Sequence, residues 1–130
     1  MSAIRCVGLR KAYGRVAALD GLDLDVPEGA VFGFLGPNGA GKTTTIRLLT
    51  GLAAATAGQA WVAGQPVSAG PGLARRLGYL PEEPAFYGWM TPREFLDYVG
   101  RLFGLKPAER KARTAELLSL VGLAEVAGRR

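Results

Sequence analysis

The chain has 130 residues, a net charge of +5 and an apolar content of 48%, values typical of a soluble globular domain with a hydrophobic core. No apolar run approaches the roughly 18 residues of a membrane-spanning helix, and the first residues lack the pattern of a secretory signal peptide. Since the sequence has no histidine and one cysteine, Cys6, we expect no disulfide and no zinc site, and interpret Cys6 as a buried structural thiol.

The first part of the sequence predicts antiparallel β structure, because apolar and polar residues alternate along it. The predicted strands cover residues 4–9, 16–19 and 22–26. Asp20-Gly21 is interpreted as a tight turn between the second and the third of them. Residues 30–35 are almost wholly apolar, which predicts a buried strand.

A phosphate-binding loop follows this buried strand. The pattern G-x-x-x-x-G-K-[ST] is matched by Gly36, Pro37, Asn38, Gly39, Ala40, Gly41, Lys42 and Thr43, with Thr44 next. Glycines let backbone N–H groups approach a polyphosphate, and a helix that starts after the loop adds free N–H donors. Lys42 would hold the β- and γ-phosphates, and the Thr43 hydroxyl would ligate Mg²⁺. A chance match is the alternative, but the strand before the loop and the helical pattern after it favour the functional interpretation.

The remaining sequence predicts short strands followed by two helices. Strands are predicted at residues 59–63 and 77–80, a helical turn at 73–76 and a loop at 81–90. The next helix has Thr91 as its N-cap, Pro92 at its first position and Glu94 as its third residue. A last helix is predicted from Pro107 to about residue 121, where Gly122 stops it.

These segments together resemble one family closely, the ATP-binding subunits of ABC transporters. The loop sequence G-P-N-G-A-G-K-T-T is typical of that family, and residues 56–64, 77–84 and 91–96 are similar to family segments at the same places. The resemblance covers essentially the whole chain and implies an α/β fold. Residues 1–85 would form a P-loop NTPase core with an N-terminal antiparallel β subdomain, and residues 86–130 the start of an α-helical subdomain.

The resemblance also implies roles for single residues. Tyr13 looks like the aromatic residue that stacks on adenine, and Val16 would pack beside its ring. Glu82 stands where the family usually has the glutamine of its Q-loop, so it is a candidate Mg²⁺ ligand with Thr43 and a candidate catalytic residue with Lys42. A carboxylate can ligate Mg²⁺, and the alternative is that Glu82 is a solvated loop carboxylate.

For the intact protein, the resemblance implies an ATPase that powers transport across a membrane, with ATP and Mg²⁺ bound. A subset of the family resembles the Pro81-Glu82-Glu83 variant and is often paired with exporting membrane subunits, which favours export. The expected partners are a transmembrane permease subunit and a second ATP-binding domain in a dimer, at the cytoplasmic face of the membrane. The family's signature motif, Walker B strand and switch histidine do not occur in these 130 residues, so we expect an N-terminal part that is inactive alone.

Other functions stay open at this point. They are a soluble ABC-type ATPase of DNA repair or translation, an unrelated P-loop enzyme such as a GTPase or a kinase, and a nucleotide-binding module without catalysis. No guanine-reading N-K-x-D motif is present, and the arginines are not interleaved with aromatic residues, so we expect no nucleic-acid binding. Four residues of the 81–90 loop, the aromatic Phe86, Tyr87 and Trp89 together with Met90, predict either a contact with a membrane subunit or a small buried cluster.

Overall fold

A computed structural model describes the backbone of residues 1–130 and the side chains of residues 1–68 and 70–130. The chain divides into two units, Met1–Tyr79 and Leu80–Arg130. No helix among residues 1–130 is long and apolar enough to cross a membrane. The sequence-based boundary between residues 85 and 86 stays a prediction.

The first unit is built on an antiparallel sheet. Its strands are β1 (Ser2–Tyr13), β2 (Val16–Pro27), β3 (Ala57–Val62) and β4 (Gln65–Pro66), in the spatial order β2-β1-β3-β4. Four of the predicted strands, at residues 4–9, 16–19, 22–26 and 59–63, overlap strands of this sheet, and those at 16–19 and 22–26 are parts of the single strand β2. The prediction of antiparallel β structure ahead of the loop is therefore confirmed.

The predicted tight turn at Asp20-Gly21 is wrong, because β2 runs through both residues. Leu9 pairs with Leu22 while Arg10, the next residue of β1, pairs with Asp20. Gly21 is thus one extra residue on β2, a β-bulge, and its φ of +80° is the left-handed conformation that glycine tolerates best. An Asp-Gly pair has the backbone freedom for either structure, and the pairing of β2 with β1 on both sides of Gly21 selects the bulge.

One helix packs on this sheet and forms the core of the unit. Helix α1 spans Lys42–Leu49, and its Leu48 is buried with Cys6, Leu9 and Ala60 of the sheet. The burial of Cys6 confirms the prediction of a structural thiol. Burial raises the pKa of this thiol, and the Asp23 carboxylate raises it further. A 3-10 turn (Val67–Ala69) and a short helix α2 (Pro71–Ala74) follow.

Two predicted strands are absent from the sheet. Residues 30–35 run irregularly ahead of the loop, with Val31 105% and Leu35 93% exposed. Residues 77–80 are also irregular, and Tyr79 and Leu80 are exposed. A strand needs a neighbour to pair with its N–H and C=O groups, and none of the sheet strands among residues 1–130 pairs with either segment. Apolar content alone therefore predicted these two strands wrongly.

The second unit contains two helices. Helix α3 spans Pro92–Leu102 and α4 spans Pro107–Leu120, as the sequence predicted. The capping box at the start of α3 is confirmed, because the Thr91 hydroxyl accepts from the Glu94 N–H and the Glu94 carboxylate accepts from the Thr91 N–H. This last bond is the main cause that lowers the pKa of Glu94. A 3-10 turn (Ala124–Val126) ends the unit.

A carboxylate on α3 connects the two helices. One oxygen of Asp97 accepts from Arg110 Nε of α4 at 2.8 Å, and the other accepts from Arg101 Nε at 2.7 Å. Arg110 also donates to the carbonyl oxygen of Leu105 and lies over Gly100, where a Cβ atom would be 2.9 Å from its Cδ. The Arg110 hydrogen bond, and then Arg101, lower the pKa of Asp97.

Candidate nucleotide-binding site

The predicted phosphate loop lies directly ahead of helix α1, in the first unit. The Ala40 N–H donates to the Pro37 carbonyl oxygen at 3.2 Å and closes a turn. Gly39 and Gly41 have φ angles of +84° and +92°, conformations that side chains disfavour. The loop residues Gly36, Pro37, Asn38, Gly39 and Ala40 are exposed, Gly41, Lys42 and Thr44 are half-buried, and Thr43 is exposed.

Gly41 fixes the end of the loop against the sheet. A Cβ atom on Gly41 would lie 2.7 Å from the carbonyl oxygen of Ala18 and 3.3 Å from a methyl group of Leu19, both in β2. A glycine is therefore required here for space as well as for its φ angle. The close approach places the start of α1 against the part of β2 that follows Val16.

Thr45 is a residue of this loop region that sequence reasoning missed. Its side chain is fully buried, and its hydroxyl donates to the carbonyl oxygen of Gly41 at 2.8 Å. The backbone N–H of Thr45 donates to the same oxygen at 2.8 Å. Thr45 thus ties the loop to the first turn of α1. The only sequence signal for Thr45 was its place as the third of three consecutive threonines, of which the first two were assigned to the phosphate loop.

Lys42 folds back over the loop. Its ammonium donates to the carbonyl oxygens of Gly36 and of Pro37, the latter at 2.8 Å. Thr43 is an exposed residue in the first turn of α1, where the N–H groups of a helix have no partner within the helix. A cation on a long side chain, the hydroxyl of an exposed residue and a helix N-terminus form a donor set that suits a polyphosphate with its Mg²⁺.

Tyr13 and Val16 lie in the same unit as the loop. They form the last pair between β1 and β2, and their side chains are 49% and 67% exposed. The Lys11 ammonium lies 4.8 Å from the centre of the Tyr13 ring and donates to the carbonyl oxygen of Ala54 at 2.7 Å. Lys11 was not singled out from the sequence, although residues two apart on a strand share a face.

Glu82 belongs to the second unit, where it is an exposed residue of the irregular segment that follows residue 80. It lies outside the unit that carries the loop, Tyr13 and Val16. Its assignment as a Mg²⁺ ligand and catalytic residue stays a prediction.

An aromatic cluster lies at the start of α3 in the second unit. The centre of the Tyr87 ring lies 4.9 Å from the centre of the Trp89 ring and 5.9 Å from that of Tyr98. The ring of Phe86 is edge-on to that of Phe95, with 5.3 Å between their centres. Phe86, Tyr87 and Trp89 are all exposed. The alternative of a small buried cluster is therefore wrong, because these rings pack on one another and on α3 while part of their surface faces solvent.

Comparisons with known proteins agree with this fold. Residues 19–130 match the family model described as ABC transporter. The chain is 42% identical over 128 residues to a daunorubicin resistance ATP-binding protein of Streptomyces coeruleorubidus, and 41% identical over 123 residues to Nod factor export ATP-binding protein I of Paraburkholderia xenovorans. These alignments cover 98% and 94% of this chain, and 40% of each relative.

A solved structure described as the ATP-binding subunit of an ABC transporter has the same fold. The two structures superpose with a TM-score of 0.81 and share 30% sequence identity, and the match covers 95% of this chain and 52% of the solved chain. The chain thus spans less than half the length of the curated relatives and about half of this structure. The α/β fold expected from the resemblance, with its antiparallel sheet and P-loop helix, is confirmed. This chain therefore belongs to the ABC transporter family, among its ATP-binding subunits.

Proposed function

We propose that this chain binds Mg-ATP, as the nucleotide-binding part of an ATPase that powers export across a membrane. The polyphosphate would lie on residues 36–44 and the adenine on Tyr13. The observation that carries the proposal is the close approach of Gly41 to Ala18. It brings the end of the phosphate loop next to the strand that carries Val16, the partner of Tyr13.

Lys42 supplies the charge in this proposal. Its ammonium donates to two neutral carbonyl oxygens, and a phosphate oxygen, which carries a negative charge, attracts an ammonium more strongly than a neutral carbonyl oxygen does. Phosphate oxygens would therefore displace the carbonyl groups as acceptors without a movement of the helix. When bound, Mg²⁺ neutralises charge on the β- and γ-phosphates. The Thr43 hydroxyl would ligate it, and we propose Glu82 as a further ligand.

The proposed transport role depends on the relatives. One is named for daunorubicin resistance and another for Nod factor export, and both names suit a protein that drives molecules out of a cell. The partners would be a transmembrane permease subunit and a second ATP-binding domain, at the cytoplasmic face of the membrane. The exposed rings of Phe86, Tyr87 and Trp89 support a contact with the permease, because interfaces are enriched in aromatic residues.

The Lys42→Ala variant tests this function. We expect it to bind a fluorescent ATP analogue at least about tenfold more weakly than the parent, since it loses a charge-assisted contact of roughly 1.5–3 kcal/mol. The urea midpoint of unfolding should stay the same, because the Lys42 ammonium donates only to loop carbonyl groups.

The matched control is Arg47→Ala, which removes an exposed positive charge from the other end of α1. It should bind the analogue as the parent does. Equal binding of the analogue by the Lys42→Ala variant and the parent would refute the proposed site. Equal losses of affinity in Lys42→Ala and Arg47→Ala would mean that the analogue responds to the net charge of the chain and not to a contact with Lys42.

A further inference from the structure

The ammonium of Lys11 connects two parts of the first unit. It donates to the carbonyl oxygen of Ala54, in the segment that follows α1, and lies 4.8 Å from the centre of the Tyr13 ring. A cation within about 6 Å of a ring centre is attracted to the ring face. Lys11 is therefore a bridge between the segment after α1 and the ring of Tyr13.

Two hydrogen bonds of Thr56 strengthen this connection. The Thr56 N–H donates to the carbonyl oxygen of Arg10 at 2.9 Å, and the Thr56 hydroxyl accepts from the Ala12 N–H at 3.0 Å. The end of β1 is thus held on both sides of Lys11 by the segment after α1. The phosphate loop precedes the N-terminus of the same helix, so the loop and the segment that contacts the ring are joined by α1.

We propose that Lys11 is a positioning residue for nucleotide binding, which holds the Tyr13 ring by covering one face and leaves the other face for the base. This proposal rests on the proposed function, since it requires that Tyr13 stacks on adenine. Lys11 would act at the base end of the ligand, because its ammonium lies 4.8 Å from the centre of the Tyr13 ring, whereas the phosphates are proposed to lie on residues 36–44. Its effect on affinity would therefore need both the ring and a ligand with a base.

The test compares a ligand with a base and a ligand without one. Mg-ATP and magnesium tripolyphosphate each compete with a fluorescent ATP analogue on the full chain. Because a cation–aromatic contact at an exposed site is weak, Lys11→Met should weaken the binding of ATP about two- to fivefold. Tripolyphosphate should bind as it does to the parent. Lys11→Arg keeps the cation and should restore ATP binding.

Two further variants give the test its controls. Arg5→Met removes the other cation–aromatic contact of β1, in which Arg5 lies 5.9 Å from the centre of the Trp61 ring, and should leave both ligands unaffected. The double variant Lys11→Met with Tyr13→Ala should bind ATP as Tyr13→Ala alone does, because Lys11 acts through the ring.

Several outcomes would overturn the proposal. An equal loss for tripolyphosphate would mean that Lys11 contacts the phosphates directly. Additive losses in the double variant would mean that Lys11 acts without the ring. Parent-like ATP binding by Lys11→Met together with a loss in Lys42→Ala would refute the role of Lys11 but leave the proposed function intact. Parent-like binding by Lys42→Ala would instead refute the proposed function and this inference with it.

Discussion

At the scale of the residue, Gly41 determines where the phosphate loop lies. It has a left-handed φ of +92°, and a Cβ atom placed on it would lie 2.7 Å from the Ala18 carbonyl oxygen. Gly39 has a similar φ of +84° and open space around it. An alanine substitution at each of the two positions would therefore separate the effect of backbone conformation, which both share, from the effect of a steric clash, which occurs only at Gly41.

We expect Gly41→Ala to lower the free energy of unfolding by roughly 2–6 kcal/mol, because backbone strain and overpacking each cost about 1–3 kcal/mol. The matched control, Gly39→Ala, should cost only about 1 kcal/mol, since it carries the strain alone. Urea unfolding of the parent and both variants gives the comparison. Equal losses would mean that β2 can move away from the loop at no cost.

Tyr13 gives the second prediction at this scale. Stacking of an aromatic side chain on a base contributes about 1–3 kcal/mol and tolerates any base. ATP and GTP should thus compete for the site within about tenfold of each other, and Tyr13→Ala should weaken both. Competition against a fluorescent ATP analogue measures the affinities.

Tyr79→Ala is the control for this variant, because Tyr79 is a similarly exposed tyrosine of the same unit. It should bind both nucleotides as the parent does. A strong preference for GTP, or unchanged binding by Tyr13→Ala, would contradict the assignment of the base to this ring.

At the scale of the element, Asp97 holds α3 to α4. Its pKa is lowered in the folded chain, first by the Arg110 hydrogen bond and then by Arg101. A lowered pKa stabilises the fold above the pKa of the unfolded state, and this contribution is lost as the pH falls through the folded-state pKa. Asp97→Asn should therefore destabilise the chain at pH 7, and the difference from the parent should shrink below about pH 4, near the ordinary aspartate pKa.

Urea unfolding of the parent and the variant at pH 7 and at acidic pH gives this difference. Glu116→Gln is the control, because Glu116 pairs with Arg113 while both side chains are more than half exposed, and such pairs contribute about 0–1 kcal/mol. A difference for Asp97→Asn that stays constant over this pH range would show that the carboxylate charge is not what stabilises the contact.

The helices and the two apolar segments show what a sequence can predict at this scale. The start of α3 was predictable because a capping box is complete within four consecutive residues, Thr91–Glu94. The strands expected at 30–35 and 77–80 were wrong because pairing depends on a distant partner. The loop motif identified Lys42 but not the carbonyl oxygens that it contacts five and six residues earlier in the chain. The bridge made by Lys11 was not predictable, because Lys11 and Ala54 are 43 residues apart in sequence.

At the scale of the whole molecule, we predict that the chain of 130 residues binds Mg-ATP weakly and does not turn it over. Hydrolysis needs a residue that positions the attacking water and further charge at the γ-phosphate. Among the described residues, the proposed site in the first unit offers Lys42 as its cation and no carboxylate that contacts the loop. Relatives in which this chain covers 40% of the length have further sequence that can supply such groups.

Phosphate release by the purified chain, measured against Lys42→Ala at the same concentration, tests this prediction. We expect the two rates to be equal. Steady release by the parent above the level of the variant would show that these residues contain a complete active site, and Glu82 would then be the first residue to replace, as Glu82→Gln.

The burial of Cys6 also determines how this protein can be labelled. It is the sole thiol of the sequence, it is 3% exposed, and its raised pKa keeps it in the protonated form that reacts slowly with maleimides. A single cysteine introduced at the exposed Trp89 would therefore react selectively in the otherwise unaltered chain. Fluorescent or crosslinking probes can be attached to the aromatic cluster without first building a cysteine-free background.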